Sequence, residues 1–81
     1  MTVSAYNLIE ADIGRASEIM RAIRQLDGID EAHDVTGPYD VIAKATAASI
    51  DDLGRLVVGD VQRVEGITRT VTCPIVHLEE R

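Results

Sequence analysis

Phenylalanine and tryptophan are absent from the sequence, and tyrosine occurs only as Tyr6 and Tyr39. Without large aromatic anchors, burial falls to Val, Ile, Leu, Met and Ala, each of which contributes less than a buried ring. A chain of 81 residues also leaves a large share of its surface outside any core. The expectation is one domain over residues 1–81, with a modest core and whole faces paired against further copies. Cysteine is almost missing as well. Cys73 stands alone, which excludes an internal disulfide and any multi-cysteine metal site; it suits a reducing cytoplasm and reads as a small apolar filler. No stretch nears the ~20 apolar residues of a membrane span. The opening MTVSAYNLIEADIG lacks the basic start and long apolar block of a signal peptide. The chain therefore reads as cytoplasmic, neither exported nor anchored.

Positive charge is the next scarcity. Fourteen acidic residues face eight basic ones, Lys44 is the single lysine, and the formal net charge is -6. Duplex binding draws affinity from a clustered basic surface, so this balance speaks against a nucleic-acid partner. Arg15, Arg21 and Arg24 fall together, but Glu18 and Asp27 offset them, as on a solvated helix face.

What the sequence does contain is regular alternation of element types. Hydrophobic residues make up 46% and charged residues 27%, as in a folded domain and unlike a disordered chain. VSAYNLI (3–9) reads as a strand with apolar residues on both faces. Ala16, Ile19, Met20, Ile23 and Leu26 recur at helical steps, and Gly28 is placed to end that helix. Residues 29–36 and 40–46 read as two strands joined by a hairpin at Gly37-Pro38-Tyr39. A second helix opens at Ser49, with Asp52 completing a capping-box pattern and a buried stripe of Ile50, Leu53, Val57, Val61 and Val64. Gly54 and Gly59 lie inside it, read here as points of close packing, with a frayed helix as the alternative. Residues 67–78 form a last strand whose Pro74 lacks the ladder N–H and marks an edge or a bulge.

An internal echo supports this order, because Leu26-Asp27-Gly28-Ile29 after the first helix matches Val64-Glu65-Gly66-Ile67 after the second. Strand-helix-strand twice over, with right-handed crossovers, gives a ferredoxin-like βαββαβ sandwich of α+β class. Its four-stranded antiparallel sheet carries both helices on one face. The other face has no cover in the chain, and the two-sided strands point to a second copy pairing there.

Residues for chemistry are few. His33 and His77 have no partner at metal-pair spacing, and the Val-Thr-Cys-Pro context of Cys73 offers no base or cation closer than Arg69. The carboxylates fall at helix starts, strand edges and the tail, and the Gly37-Pro38 corner has no lysine of a phosphate loop. No catalytic residue, metal or cofactor is expected, and the chain does not read as an enzyme.

The corner Val35-Thr36-Gly37-Pro38-Tyr39-Asp40, set after an LDGI helix exit, resembles the effector domain of the Lrp/AsnC family of feast/famine regulators. The VEGI exit followed by Thr68-Arg69-Thr70-Val71-Thr72 is similar to that family's last helix exit and threonine-bearing final strand. The resemblance runs from about residue 3 to residue 78. It implies a ferredoxin-like fold whose open sheets pair into homodimers, which ring up into octamers or decamers. It further implies amino acids or related small metabolites bound between dimers near the corner and the final strand. Thr36, Gly37, Tyr39, Asp40, Thr70 and Thr72 are the implied ligand-binding residues. The family's helix-turn-helix has no counterpart in these residues. The expectation is a stand-alone effector module, without direct DNA binding, acting on full-length regulators by co-assembly or by titrating effector.

Each feature also has a plain structural explanation. Gly-Pro-Tyr-Asp is a good type I turn, and alternate threonines are common on exposed strand faces. As a site, the main-chain N–H groups of Gly37, Tyr39 and Asp40 would meet a carboxylate, Asp40 or a facing acid would pair with an ammonium, and Thr70 and Thr72 would line one wall. Two rival functions stand beside sensing: a purely structural oligomerisation module, and a dimeric α/β-barrel enzyme. The enzyme would need a pocket between sheet and helices furnished by His33, His77, Tyr6 or Tyr39.

Overall fold

A computed structural model describes residues 2–77. The strands are β1 (Val3–Ala11), β2 (Ile29–Asp34), β3 (Val41–Ala47) and β4 (Ile67–Pro74). Helix α1 (Ala16–Arg24) joins β1 to β2, and α2 (Ile50–Arg55) begins the connection from β3 to β4. All pairings are antiparallel, in the order β2-β3-β1-β4, which is the ferredoxin-like sheet expected from the repeat. The last strand is a sheet edge, where a proline without an N–H is tolerated, and it ends at Pro74, with Ile75 N–H still donating to the Ser4 carbonyl of β1 at 2.8 Å. The expected strand over 67–78 is thus shorter, since residues 75–77 are not strand, and residue 78 lies outside the described residues.

Strand parity decides which side of the sheet meets the helices. Ala5, Asn7 and Ile9 of β1 are fully buried, as are Val41 and Ala45 of β3 and Ala32 of β2. Ile19 and Ile23 of α1 pack on Ile9, Ala32, Val41 and Ala43, while Leu53 and Leu56 pack on Ala5 and Ala45. The alanines let the helices sit close to the sheet, which is how a core without aromatic rings still closes. The opposite face presents Tyr6, Leu8, Ile42, Val71 and Cys73 in register, with no cover among the described residues. Cys73 is exposed there and fills no part of the core, because it pairs with Tyr6 on the outward parity of β1.

The repeated glycines occupy equivalent corners. Gly28 has φ +94° and Gly66 φ +99°, a conformation in which a side chain is strained. A Cβ on Gly28 would come within 2.9 Å of Leu56 Cδ2, and one on Gly66 within 3.1 Å of Ile19 Cδ1. Each helix exit is therefore packed against the helical segment of the other half.

The second helix departs from expectation. Ser49 does cap it, accepting from the Asp52 N–H at 3.1 Å. After Arg55 the chain passes through a π-helical turn (Leu56–Asp60) and a short 3₁₀ turn (Val61–Arg63). The cause is the spacing of the apolar residues. Steps of four drift by ~40° per turn in an α-helix of 3.6 residues per turn, so Leu53, Val57 and Val61 would leave the core face. A wider π turn brings Val61 back to the core, where it is fully buried. Ile50 is exposed instead of buried, Val64 is only half-buried, and Leu56 joins the core in their place. Gly54 and Gly59 are not packing points: a Cβ on either would meet nothing within 4 Å. Each still costs about 1 kcal/mol relative to alanine in a helix interior.

Candidate functional site

The β2–β3 corner is held from the inside by Asp40. Its N–H donates to the Ile9 carbonyl at 2.9 Å, and its carboxylate Oδ2 accepts from the Ala11 N–H at 2.8 Å. Val35 N–H closes the loop onto the Asp40 carbonyl at 3.0 Å. One expectation is thereby corrected and a second narrowed. The Asp40 N–H is spent on β1 and does not face a ligand carboxylate, and one oxygen of its side chain is committed to the backbone. The reason is topological, since Asp40 is the last residue before β3 enters the sheet beside β1. Thr36 and Gly37 remain exposed and Tyr39 is half-buried, with Gly37 at φ +136°.

Thr70 and Thr72 share the helix-covered side of β4, as alternation requires, opposite Ile9 and Asn7 of β1. Both hydroxyls are engaged. Gln62 Nε2 donates to Thr70 Oγ1 at 3.0 Å, and Thr72 Oγ1 donates to Asn7 Oδ1 at 2.8 Å. Asn7 is completely buried, and its Nδ2 has no partner among the described residues. Its parity between Ala5 and Ile9 is the sequence signal that could have marked it, since a polar residue at an inward position needs a reason.

Two grooves run along this edge. An apolar one of about 200 Å³ lies between α2, its π extension and the end of β4, bounded by Leu53, Gly54, Val57, Val58, Thr72 and Pro74. A polar one of about 230 Å³ lies beside the start of β4, bounded by Gln62, Thr68, Arg69 and Thr70. The two threonines thus line two separate grooves of opposite character. No corner residue lines either groove. β1 stands between β3 and β4, which puts the corner and the threonine edge about 10 Å apart, two strand spacings. Within one chain the six implied residues form two groups.

The histidines and tyrosines do not gather. His33 shares a hydrogen bond between its Nε2 and Glu31 Oε1 at 2.9 Å on the outer face, where it sits opposite Ile42, and Tyr6 lies on that face too. Neither is between sheet and helices, where an α/β-barrel enzyme would need them. Among the described residues no group of three His, Cys, Asp or Glu is placed to hold a metal ion. Among them, too, no helix is long and apolar enough to cross a membrane. The clearest electrostatic pair is structural: Arg15 and Glu18 meet at 2.6 Å at the start of α1. Hydrogen bonding and charge hold the Glu18 carboxyl below its ordinary range and raise the Arg15 guanidinium.

Sheet order and helix placement define a ferredoxin-like α+β domain. The family described as the Lrp/AsnC ligand binding domain matches residues 4–78, and the chain belongs to it. An uncharacterised HTH-type transcriptional regulator of Pyrococcus furiosus is 31% identical over 55 residues, covering 68% of this chain and 37% of that protein. The match thus spans little more than a third of the length of that relative. Among solved structures, TTHA0845 from Thermus thermophilus superposes with a TM-score of 0.89 at 29% identity, covering 98% of this chain and 99% of the other. Escherichia coli AsnC gives a TM-score of 0.87 at 22% identity, over 98% of this chain and 54% of its own. The Neisseria meningitidis transcriptional regulator NMB0573, in its L-Met complex, gives 0.82 at 12% identity, over 98% and 53%.

Proposed function

We propose that this chain is an effector-binding and oligomerisation domain that takes up an amino acid or a related small metabolite and modulates transcription regulators indirectly. The observation that carries this reading is the threonine-bearing edge of β4, along which Thr72 lines an apolar groove and Thr70 a polar one, inside a family of ligand-binding domains. An L-Met complex of a fold neighbour supports the ligand class. Sheet faces carrying Tyr6, Leu8, Ile42 and Val71 pair in a homodimer, removing apolar surface from water. Dimers then assemble further, and the exposed Thr36 and Gly37 with Tyr39 of a neighbouring dimer close over the edge that holds Thr70 and Thr72. A ligand at such a junction shifts assembly only by binding one state better than another.

Sedimentation of the protein with and without a panel of amino acids at millimolar concentration tests this. Binding accompanied by a change in assembly size is the expected result. An assembly that never changes and a panel that never binds would leave the purely structural module, for which the uncovered apolar sheet face is the favouring observation.

A further inference from the structure

Lys44 carries the one charge on the outward sheet face that meets nothing among the described residues. It is the single lysine of the chain and is half-buried at the middle of β3. Its ammonium has no ion pair or hydrogen bond among the described residues. In register it lies between Tyr6 of β1 and Glu31 of β2, beside the apolar row of Ile42, Leu8 and Val71.

The acids of this face are already engaged. A β-bulge between Ile29 and Glu31 sets Asp30 and Glu31 side by side on it. Asp30 Oδ2 accepts from the Thr46 hydroxyl, which also shares a hydrogen bond with Ser4 Oγ at 3.0 Å. Glu31 Oε1 is held by His33 Nε2 at 2.9 Å. Glu10, four residues along β1 from Tyr6, faces Arg69 instead. Of these acids only Glu31 stands directly across from Lys44. Side-chain stems so placed are about 5 Å apart, and a change of rotamer at Glu31 suffices to make the ion pair.

Covering the face turns that choice of partner into a condition for assembly, because an ammonium taken from water without a counter-charge is costly. From this arrangement we infer that pairing of two copies through this face moves Glu31 from His33 to Lys44, so that the interface closes with His33 neutral and opens when His33 takes up a proton. The occupant is a second copy because the face complements itself in charge, with Asp30 and Glu31 along the β2 border and Arg69 on the β4 border. A protonated imidazole holds a carboxylate more strongly than a neutral one. Acid therefore keeps Glu31 on His33 and leaves Lys44 to be buried alone. Histidine is the side chain that ordinarily changes charge between about pH 5 and pH 8. The other charged neighbours of β2 are committed elsewhere: Asp34 Oδ2 accepts from Ser17 at 2.9 Å, and Arg24 of α1 donates to the Ala32 carbonyl at 3.0 Å. The inference rests on the homodimer proposed above and adds the chemical condition under which its two copies part.

Sedimentation velocity of the full chain over a dilution series at about pH 7.5 and about pH 5.5, with ionic strength fixed and circular dichroism at each pH, tests it. The unaltered dimer is expected to dissociate at least about tenfold more readily at the lower pH, with its strand signal unchanged. His33→Gln should bring the two pH values within about twofold of each other. Lys44→Met, which removes the charge that needs Glu31, should hold the dimer equally at both. Glu31→Gln should weaken it about tenfold at the higher pH and add no further loss at the lower. A dimer that holds equally at both pH values, or a full pH dependence surviving in His33→Gln or Lys44→Met, overturns this inference and leaves the homodimer standing. Loss of the strand signal at the lower pH overturns it too, since unfolding then replaces parting. If the chain is a monomer at both pH values, the homodimer fails and takes the inference with it.

Discussion

Asp40 shows how one side chain divides between turn and site. Read from the sequence, its carboxylate is available to an ammonium; in the fold it accepts from Ala11 N–H and its own amide reaches Ile9. Asp40→Ala should therefore destabilise the domain by about 1–3 kcal/mol through a part-buried amide left without its charged acceptor, as urea unfolding would register. An equal stability with altered ligand affinity would assign Asp40 to the site instead. Glu18 makes a pH-dependent contribution of known sign. Its pKa is lowered in the folded state by Arg15, so the stability it adds is complete above the ordinary value of 4.5 and is lost as pH falls through the lowered one. The pair is solvent-exposed, so the effect is small and screened by salt. Glu18→Gln should flatten the acid limb of the stability profile in low salt and leave it unchanged in high salt.

At the scale of elements, four strands and the first helix are legible because each is bounded by its own punctuation: Gly28, Gly37-Pro38, Ser49, Gly66 and Pro74. The second helix is legible in existence and in its Ser49 cap, but its apolar residues recur every four positions, and no local signal says how a helix absorbs that drift. The pattern accordingly puts Ile50 in the core and passes over Leu56, the reverse of what the fold does. The glycines divide the same way. Gly28→Ala should cost more than about 1 kcal/mol, from strain at a positive φ and the contact with Leu56. Gly54→Ala should stabilise by up to about 1 kcal/mol. Paired thermal melts of the two variants check both signs, and a destabilising Gly54→Ala would show that the helix does pack at that point after all.

For the whole molecule, the LDGI and VEGI echo makes the topology readable, because a duplicated strand-helix-strand order admits few arrangements. The apolar groove is not readable, since it arises where the end of β4 comes to lie beside α2 and its π extension, residues 14 or more apart in sequence. Asn7 and Gln62, which set the hydroxyl directions of Thr72 and Thr70, belong to that same tertiary layer. The uncovered sheet face carries the assembly prediction. Leu8→Asp places a charge opposite Ile42 and Val71 and should convert the proposed dimer to a monomer with the secondary structure retained. Light scattering and circular dichroism together decide it; a dimer that survives Leu8→Asp would move the interface elsewhere.

The π turn has a consequence that concerns chain length more than composition. It holds a surplus residue relative to an ordinary helical turn, and Val58, exposed within it, borders the apolar groove. A chain one residue shorter between Leu56 and Asp60 would wind an ordinary turn, swing Val61 off the core face and leave less material for that border. A single deletion there is therefore expected to cost core burial at Val61 and to reshape the groove edge at Val58 together.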